Sequence, residues 1–422
     1  MPPAGRAPAK PSGAAPLRVP LERARAFWVA RQGLGAPQEG PLPGVVARTG
    51  WLRTLGGVDV YLALRARVPG LSRAVVDTES ERLSLRVLPA VRGCIYLVPA
   101  VHAALALGVA EAAWRPRTER EVAKAGASWR EVDEAAAAVR DVLVSPMTTD
   151  ALRRALPAGS VRSLGDAGKK VGLSSVLPVA LRLLELEGRV ERTLDGGRLD
   201  TERYLWKRAS RAPAARAKAP ASPAEVAAEL LRLFLSWSGP ATLREFAAWS
   251  GLGLRDAAAA ATLVDLRRVA IEGRAEEALL LAGDVPALLE APAPKGVRLL
   301  SFEDNLLNAH GGPGVFAAPA DHARPVEAWG PAKSATLGSA AHVSQRTILA
   351  GGLLAGYWEL DAAARRVVTG LFRPLSTGES AELERLSRAT ADFLLDDVGH
   401  ARSFSLDTDE NVASRARVVA GI

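Results

Sequence analysis

Asp59, Tyr61, Arg65 and Arg67 bring a carboxylate, a phenol and two guanidinium groups into one short stretch, Gly50–Arg67 (GWLRTLGGVDVYLALRAR). Asp59 could activate a water as general base, and the arginines could hold phosphates. Gly56-Gly57 stands just before them, where missing side chains allow a sharp turn or the close approach of another backbone. The plainer alternative is a loop between two core elements, with Asp59 an exposed turn aspartate. A second polar cluster, Glu303-Asp304-Asn305, follows the apolar run Val297–Phe302 and leads through a Gly/Pro-rich loop to His310, Gly311 and Gly312. Asp304 could line a cleft or merely close an Asx turn. His102, among apolar neighbours, reads as a structural histidine.

The elements that must position these groups follow from hydrophobic spacing. Leu17–Gln32 carries Leu21, Ala24, Phe27 and Trp28 at helical intervals; Val58–Leu64 fits either strand or helix, a helix continuing toward Arg67 being the favoured expectation. Leu83–Val98 alternates as strands do around Arg92-Gly93, and Pro99–Ala125 returns to helix. Trp129–Leu156 reads as two helices broken at Ser145-Pro146, and Ser174–Glu187 as a third. Gly188–Tyr204 then alternates around Asp195-Gly196-Gly197, a strong hairpin signal. Three helices and a two-stranded hairpin make a winged helix-turn-helix. Arg182, Arg189, Arg192 and Arg198 lie on or beside its third helix and wing. The plan repeats in Ala224–Leu281, where an Ala-rich third helix with few cations reads as scaffold.

The resulting fold class is α+β, mostly α. A disordered tail (1–16) precedes an N-terminal winged-helix unit carrying the candidate segment (17–128) and a basic second unit (129–209). A Pro/Ala linker (210–223) leads to a third unit (224–284), a small β-barrel (285–375), and a C-terminal helix and tail (376–422).

Composition narrows the classes. At 48% apolar residues the 422-residue chain is globular rather than disordered. One cysteine, Cys94, excludes an internal disulfide and a multi-thiolate metal site and fits a reducing cytosol. No apolar run is long enough to span a bilayer. The net charge of +8 is concentrated: Asp150–Pro220 holds 15 Lys/Arg against 8 Asp/Glu. Such a region attracts phosphate backbones without sequence preference, although a generally arginine-rich composition is the competing explanation.

Four segments in register, Arg92–Pro99 (RGCIYLVP), Phe234–Leu252 (FLSWSGPATLREFAAWSGL), Leu299–Asn305 (LLSFEDN) and Leu349–Trp358 (LAGGLLAGYW), resemble the winged-helix DNA glycosylases of the AlkZ type. The YLALRAR of the opening stretch is similar to that family's catalytic segment. The resemblance implies tandem winged-helix units closed by a C-terminal β-barrel, with duplex DNA held on a basic concave surface. It implies release of alkylated purines, crosslinks included, by N-glycosidic hydrolysis with neither metal nor nucleotide cofactor. A cytoplasmic, nucleoid-associated monomer without membrane attachment is expected.

In that family two glutamines one residue apart, or Gln then Asp, shortly precede the Tyr-Leu pair. Aligning Tyr61-Leu62 with that pair puts Arg53 and Leu55 at the signature positions. Leu55 can hold no water, and the Arg53 cation stands where an oxocarbenium-like charge develops, which raises the barrier. Asp59 is then the nearest carboxylate able to stand in. Tyr96 stands where His is commoner in the family. Tyr61, Arg65, Arg67 and Arg92 would contact DNA or form salt bridges along the cleft, with Asp304, Asn305 and His310 on the same face and Arg182 and Arg189 on the basic unit. A glycosylase with an altered site and a catalytically silent DNA-binding protein both satisfy these features.

Overall fold

The computed structural model describes residues 15–201, 203–209, 222–327 and 335–422. Most of the expected tail and linker, 1–14 and 210–221, lies outside them. About half of the described residues are helical, and the fold is α+β.

Leu17–Val19, expected as the start of a helix, is instead a strand running parallel to Leu266–Ile271. Pairing with a segment some 250 residues distant overrides local helical spacing, and the helix is confined to Leu21–Arg31. Leu52–Arg53 and Leu85–Pro89 flank Ile95–Pro99 in a three-stranded antiparallel sheet that sets Arg53 opposite Tyr96. The helix Asp59–Arg67 follows at once, buried on nearly every face among Val46, Leu97, Trp358 and Phe393. A helix so enclosed serves as a core element rather than as a surface loop.

Two stretches share one plan. Trp129–Val142, Thr149–Ala155 and Leu177–Leu186 precede the hairpin Val190–Leu194/Tyr204–Arg208. Pro223–Ser238, Leu243–Ser250 and Leu254–Ala261 precede Leu266–Ile271/Ala278–Leu281. The helix starts are fixed by side chains: Thr148 accepts from the Ala151 amide, and Thr242 with Glu245 forms a capping box. Each stretch fills its own core, around Val132, Leu181 and Trp206 in the first and Phe234, Trp237 and Phe246 in the second.

The C-terminal strands form no closed barrel among the described residues. Arg366–Leu371, Leu353–Asp361, Arg346–Ala350 and Val297–Leu299 lie in that order in an open antiparallel sheet. Its ends are managed by helices instead of closure: Thr377–Asp392 packs on both outer strands, and its Glu382 accepts the Val297 amide at 2.9 Å. The helix Asp409–Ala420, in a tail whose sequence carries little signal, covers Leu353–Asp361 and Arg366–Leu371.

Candidate active site

The turn at Gly56 (φ +71°) takes the chain from the strand Leu52–Arg53 into the helix that begins at Asp59. Gly57 is needed for a different reason: a Cβ there would stand 2.3 Å from the Ser403 carbonyl carbon. The glycine pair therefore admits the protein's own C-terminal segment, which hydrogen-bonds the loop through Val58 N to Arg402 O (2.9 Å) and Ser405 N to Leu55 O (2.8 Å).

Asp59 is a buried helix residue rather than an exposed turn aspartate. Its Oδ1 accepts from Phe302 N (2.8 Å) and Arg346 Nε (2.9 Å), and its Oδ2 from Arg346 Nη2 (3.0 Å). Arg346 is itself fully buried and also donates to Glu359, the Ala401 carbonyl and Ser403. A carboxylate so engaged is neutralised, which weakens its case as the base that activates water.

Several residues expected on the DNA face are instead structural, because the same chemistry that suits phosphates also suits buried pairing. Arg67 is fully buried and grips Asp304 through two bonds of 2.8 and 3.0 Å, with Ala63 O and Gln32 as further acceptors. Asp304 in turn caps the helix Asn305–Asn308 through the Leu306 amide. The Tyr61 hydroxyl donates to Asp77 (2.6 Å) and accepts from Leu199 N (2.9 Å) inside the core. Arg65 lies over the Phe393 ring at 4.1 Å and donates to the Leu71 carbonyl. His310 is completely buried and stacked 4.1 Å from Trp28; burial, with Arg274 nearby, holds its pKa well below the ordinary value, so it stays neutral. His102 accepts from Trp51 Nε1 at 3.1 Å.

What remains at the surface converges on Arg53. Its Nη1 lies 2.6 Å from Glu303 Oε2, and its side chain is 32% exposed. The other Glu303 oxygen is 3.4 Å from His342 Nδ1, which also lies 3.2 Å from Asn308 Oδ1. Asn308 donates back to the Glu303 carbonyl at 3.0 Å. Glu303 (φ +54°) and Arg92 (φ +57°) both hold left-handed backbone, uncommon for residues with side chains. Arg92 is exposed and near enough for Glu303, Tyr96 and Cys94 to outweigh the lowering effect of its partial burial and raise its pKa. Tyr96 is buried and its hydroxyl meets Arg92 Nη2 at 3.4 Å; burial pushes that phenol up. Strain at two residues that face one spot is characteristic of functional sites.

Behind Arg53 is a recess of about 20 Å³, room for about one water, lined by Arg53, Leu55, Asp59, Glu303, Asn305 and Ser403 among others. Asn305 is oriented by its bond to Trp51 O (2.9 Å). Arg182 and Arg189 lie elsewhere. Arg182 is half-buried, 3.5 Å from Glu185, and Arg189 is exposed in an open cleft of about 820 Å³ with Arg140 and Arg208. Among the described residues no three His, Cys, Asp or Glu side chains gather as metal ligands, and no helix is long and apolar enough to cross a membrane.

Glu303 and His342 were not singled out as site residues by sequence reasoning. Arg53 and Glu303 are 250 residues apart, and nothing periodic links them. The one available signal was chemical: a cation such as Arg53 in a part-buried stretch needs an acid nearby, and Glu303 adjoins the Asp304-Asn305 pair.

A family model described as DNA glycosylase AlkZ-like matches residues 57–393, most of the chain; Arg53 and Leu55 fall just before the matched stretch. No curated protein matches by sequence. Among solved structures, the Streptomyces sahachiroi DNA glycosylase AlkZ superposes with a TM-score of 0.67 at 21% identity, over 92% of this chain and 98% of that one. At that identity the superposition speaks for the fold, while the matched family model carries the kinship and, with it, a glycosylase-like role on DNA. The chain belongs to the AlkZ-like DNA glycosylase family.

Proposed function

We propose that this protein holds duplex DNA with tandem winged helix-turn-helix units and hydrolyses the N-glycosidic bond of alkylated or bulky-adducted purines. The observation that carries the reading is the water-sized recess bounded by Glu303, Arg53 and Leu55; on this reading the last two stand at the family's signature positions. A water there attacks the anomeric carbon as the bond to the purine nitrogen breaks; the bonding pair leaves with the base and the water's proton passes to Glu303. The carboxylate also offsets the positive charge that grows on the sugar. In the unbound protein Arg53 ties up one Glu303 oxygen. A backbone phosphate entering the cleft competes for that guanidinium and frees Glu303 where the reaction needs it. Asp59 supports the site by fixing Phe302, the neighbour of Glu303, through its amide.

A second reading, a catalytically silent DNA-binding protein, draws on the same pair. Asp59 and Asp304 are both neutralised by buried arginines, and the 2.6 Å Arg53–Glu303 contact leaves no unpaired carboxylate at the recess. Incubation with alkylated duplex, followed by assays for free base and alkali-labile sites, separates the two. The glycosylase reading expects base release, reduced about 10²–10⁴-fold in Glu303→Gln. Tight duplex binding without release at enzyme excess would leave only the silent reading.

A further inference from the structure

The segment from Gly399 to Asp409 lies beyond the residues that match the family, yet it touches the loop at the site. Its backbone crosses Gly57, bonds to Leu55 O and Val58 N, and places Ser403 in the wall of the recess. It then turns sharply, Asp407 N donating to Phe404 O at 3.0 Å. The turn is fixed from inside: the Asp407 carboxylate accepts from Ser403 N (2.8 Å) and from Arg415 Nη1 (3.1 Å) and Nη2 (2.8 Å). Those bonds outweigh burial and lower the Asp407 pKa, so the anchor persists across the neutral range.

On this turn stands Leu406, 84% exposed, more than any other large apolar side chain among the described residues. A single exposed leucine is ordinary on a protein surface. This one differs in being carried on a rigid turn one residue from Ser405, which is bonded to Leu55, itself two residues from Arg53. Arg402, four residues earlier and 4.0 Å from Asp409, is 44% exposed, and Arg53, two residues before Leu55, is 32% exposed. An apolar point on a fixed backbone, bonded to the loop that carries a part-exposed cation, has the chemistry of a side chain that enters a base step of bent duplex DNA.

We infer that Leu406 is a wedge: it enters the duplex beside the damaged nucleotide and unstacks it, so that the glycosidic bond turns toward the recess. This rests on the DNA-acting reading above and adds a positioning residue to it. Catalysis stays with the recess; Leu406 supplies the stacking surface that the displaced base gives up.

The test uses the full chain and a duplex with 2-aminopurine next to an alkylated purine. The wild type should raise 2-aminopurine fluorescence on binding, and Leu406→Ala should lose most of that rise. For Leu406→Ala, kcat/KM for base release should fall roughly tenfold, with little change in affinity for undamaged duplex at the same salt. Leu406→Met should restore both signals, and an unchanged melting temperature would show that the turn is intact. Unstacking by Leu406→Ala equal to wild type, or no unstacking by the wild type, overturns the wedge. So does a change from dimer to monomer on substitution, which would assign Leu406 to self-association. Failure of base release with unstacking intact sinks the glycosylase reading and leaves the wedge; release unaffected in Leu406→Ala does the reverse.

Discussion

At the scale of single residues, Asp59 is placed by what it must neutralise. Arg346 is fully buried and needs both carboxylate oxygens of Asp59 in addition to Glu359. Removing one partner of such a pair leaves a charge uncompensated away from water, at a cost of about 3–5 kcal/mol. Asp59→Asn should therefore lower stability by about that amount in denaturant unfolding. Base release per folded molecule should change far less than in Glu303→Gln. A stable Asp59→Asn variant with abolished release would return Asp59 to the chemistry. Arg67 and Asp304 teach the same lesson: a residue type that suits phosphate also suits a buried ion pair, and only burial distinguishes the two uses.

At the scale of elements, the C-terminal segment and the loop Leu55–Val58 are mutually dependent. Gly57→Ala puts a Cβ 2.3 Å from Ser403 backbone, which no side-chain adjustment can relieve. The segment must lift, at an expected cost of about 1–3 kcal/mol. Hydrogen exchange should show it: the Val58 and Ser405 amides, which bond across the contact, should lose protection while the Ile95–Pro99 strand keeps its own. Equal protection in both forms would refute the dependence. Helix starts are encoded locally, because caps such as Thr148 and Thr242 act on neighbours a few residues away. The hairpin at Asp195-Gly196-Gly197 was legible only in part: its first strand ends at Leu194 as expected, but the second begins at Tyr204, after a nine-residue connection and not directly after Gly197. The open sheet was not legible, because covering its outer strands with Thr377–Asp392 and its Leu353–Asp361 strand with Asp409–Ala420 is a non-local choice.

At the scale of the whole molecule, charge sets both partner and pH range. With a net charge of +8, duplex binding should weaken steeply with salt. Six to ten phosphate contacts would cost about 10³–10⁵ in affinity between about 50 and 200 mM. Arg189→Ala in the open cleft should flatten the log–log slope by about one if that arginine meets a phosphate. A salt-independent affinity would remove DNA as the partner. Stability should also fall in acid, in two stages. The buried neutral His310 has a pKa far below its unfolded value, so the unfolded chain takes up the extra proton and stability declines below about pH 6.5. Burial raises the Asp200 carboxyl, but bonds from His400 and Arg198 outweigh it and depress its pKa; its stabilisation, complete above the unfolded carboxylate range, is lost as pH falls below about 4. Denaturant midpoints across pH 3–8 would read both stages, and a flat profile between about pH 7 and 5 would exclude the contribution of His310.

The sequence by itself determined most of the helices, the presence of a hairpin after the third helix of each repeated unit, the basic middle and the family resemblance, since these depend on spacing, caps and motifs within tens of residues. It also drew attention to Arg53 and Leu55, which the resemblance sets at the family's signature and which precede the residues the family model matches. Only the tertiary structure decided what those positions meet. It put Asp59 on Arg346, Arg67 on Asp304, Glu303 on Arg53 and Leu406 on a turn beside the site, all contacts across more than 200 residues apart from the turn's own bonds. The physical reason is that a charged side chain takes whichever counter-charge the packed chain brings within about 3 Å, and local sequence carries no record of which one that is.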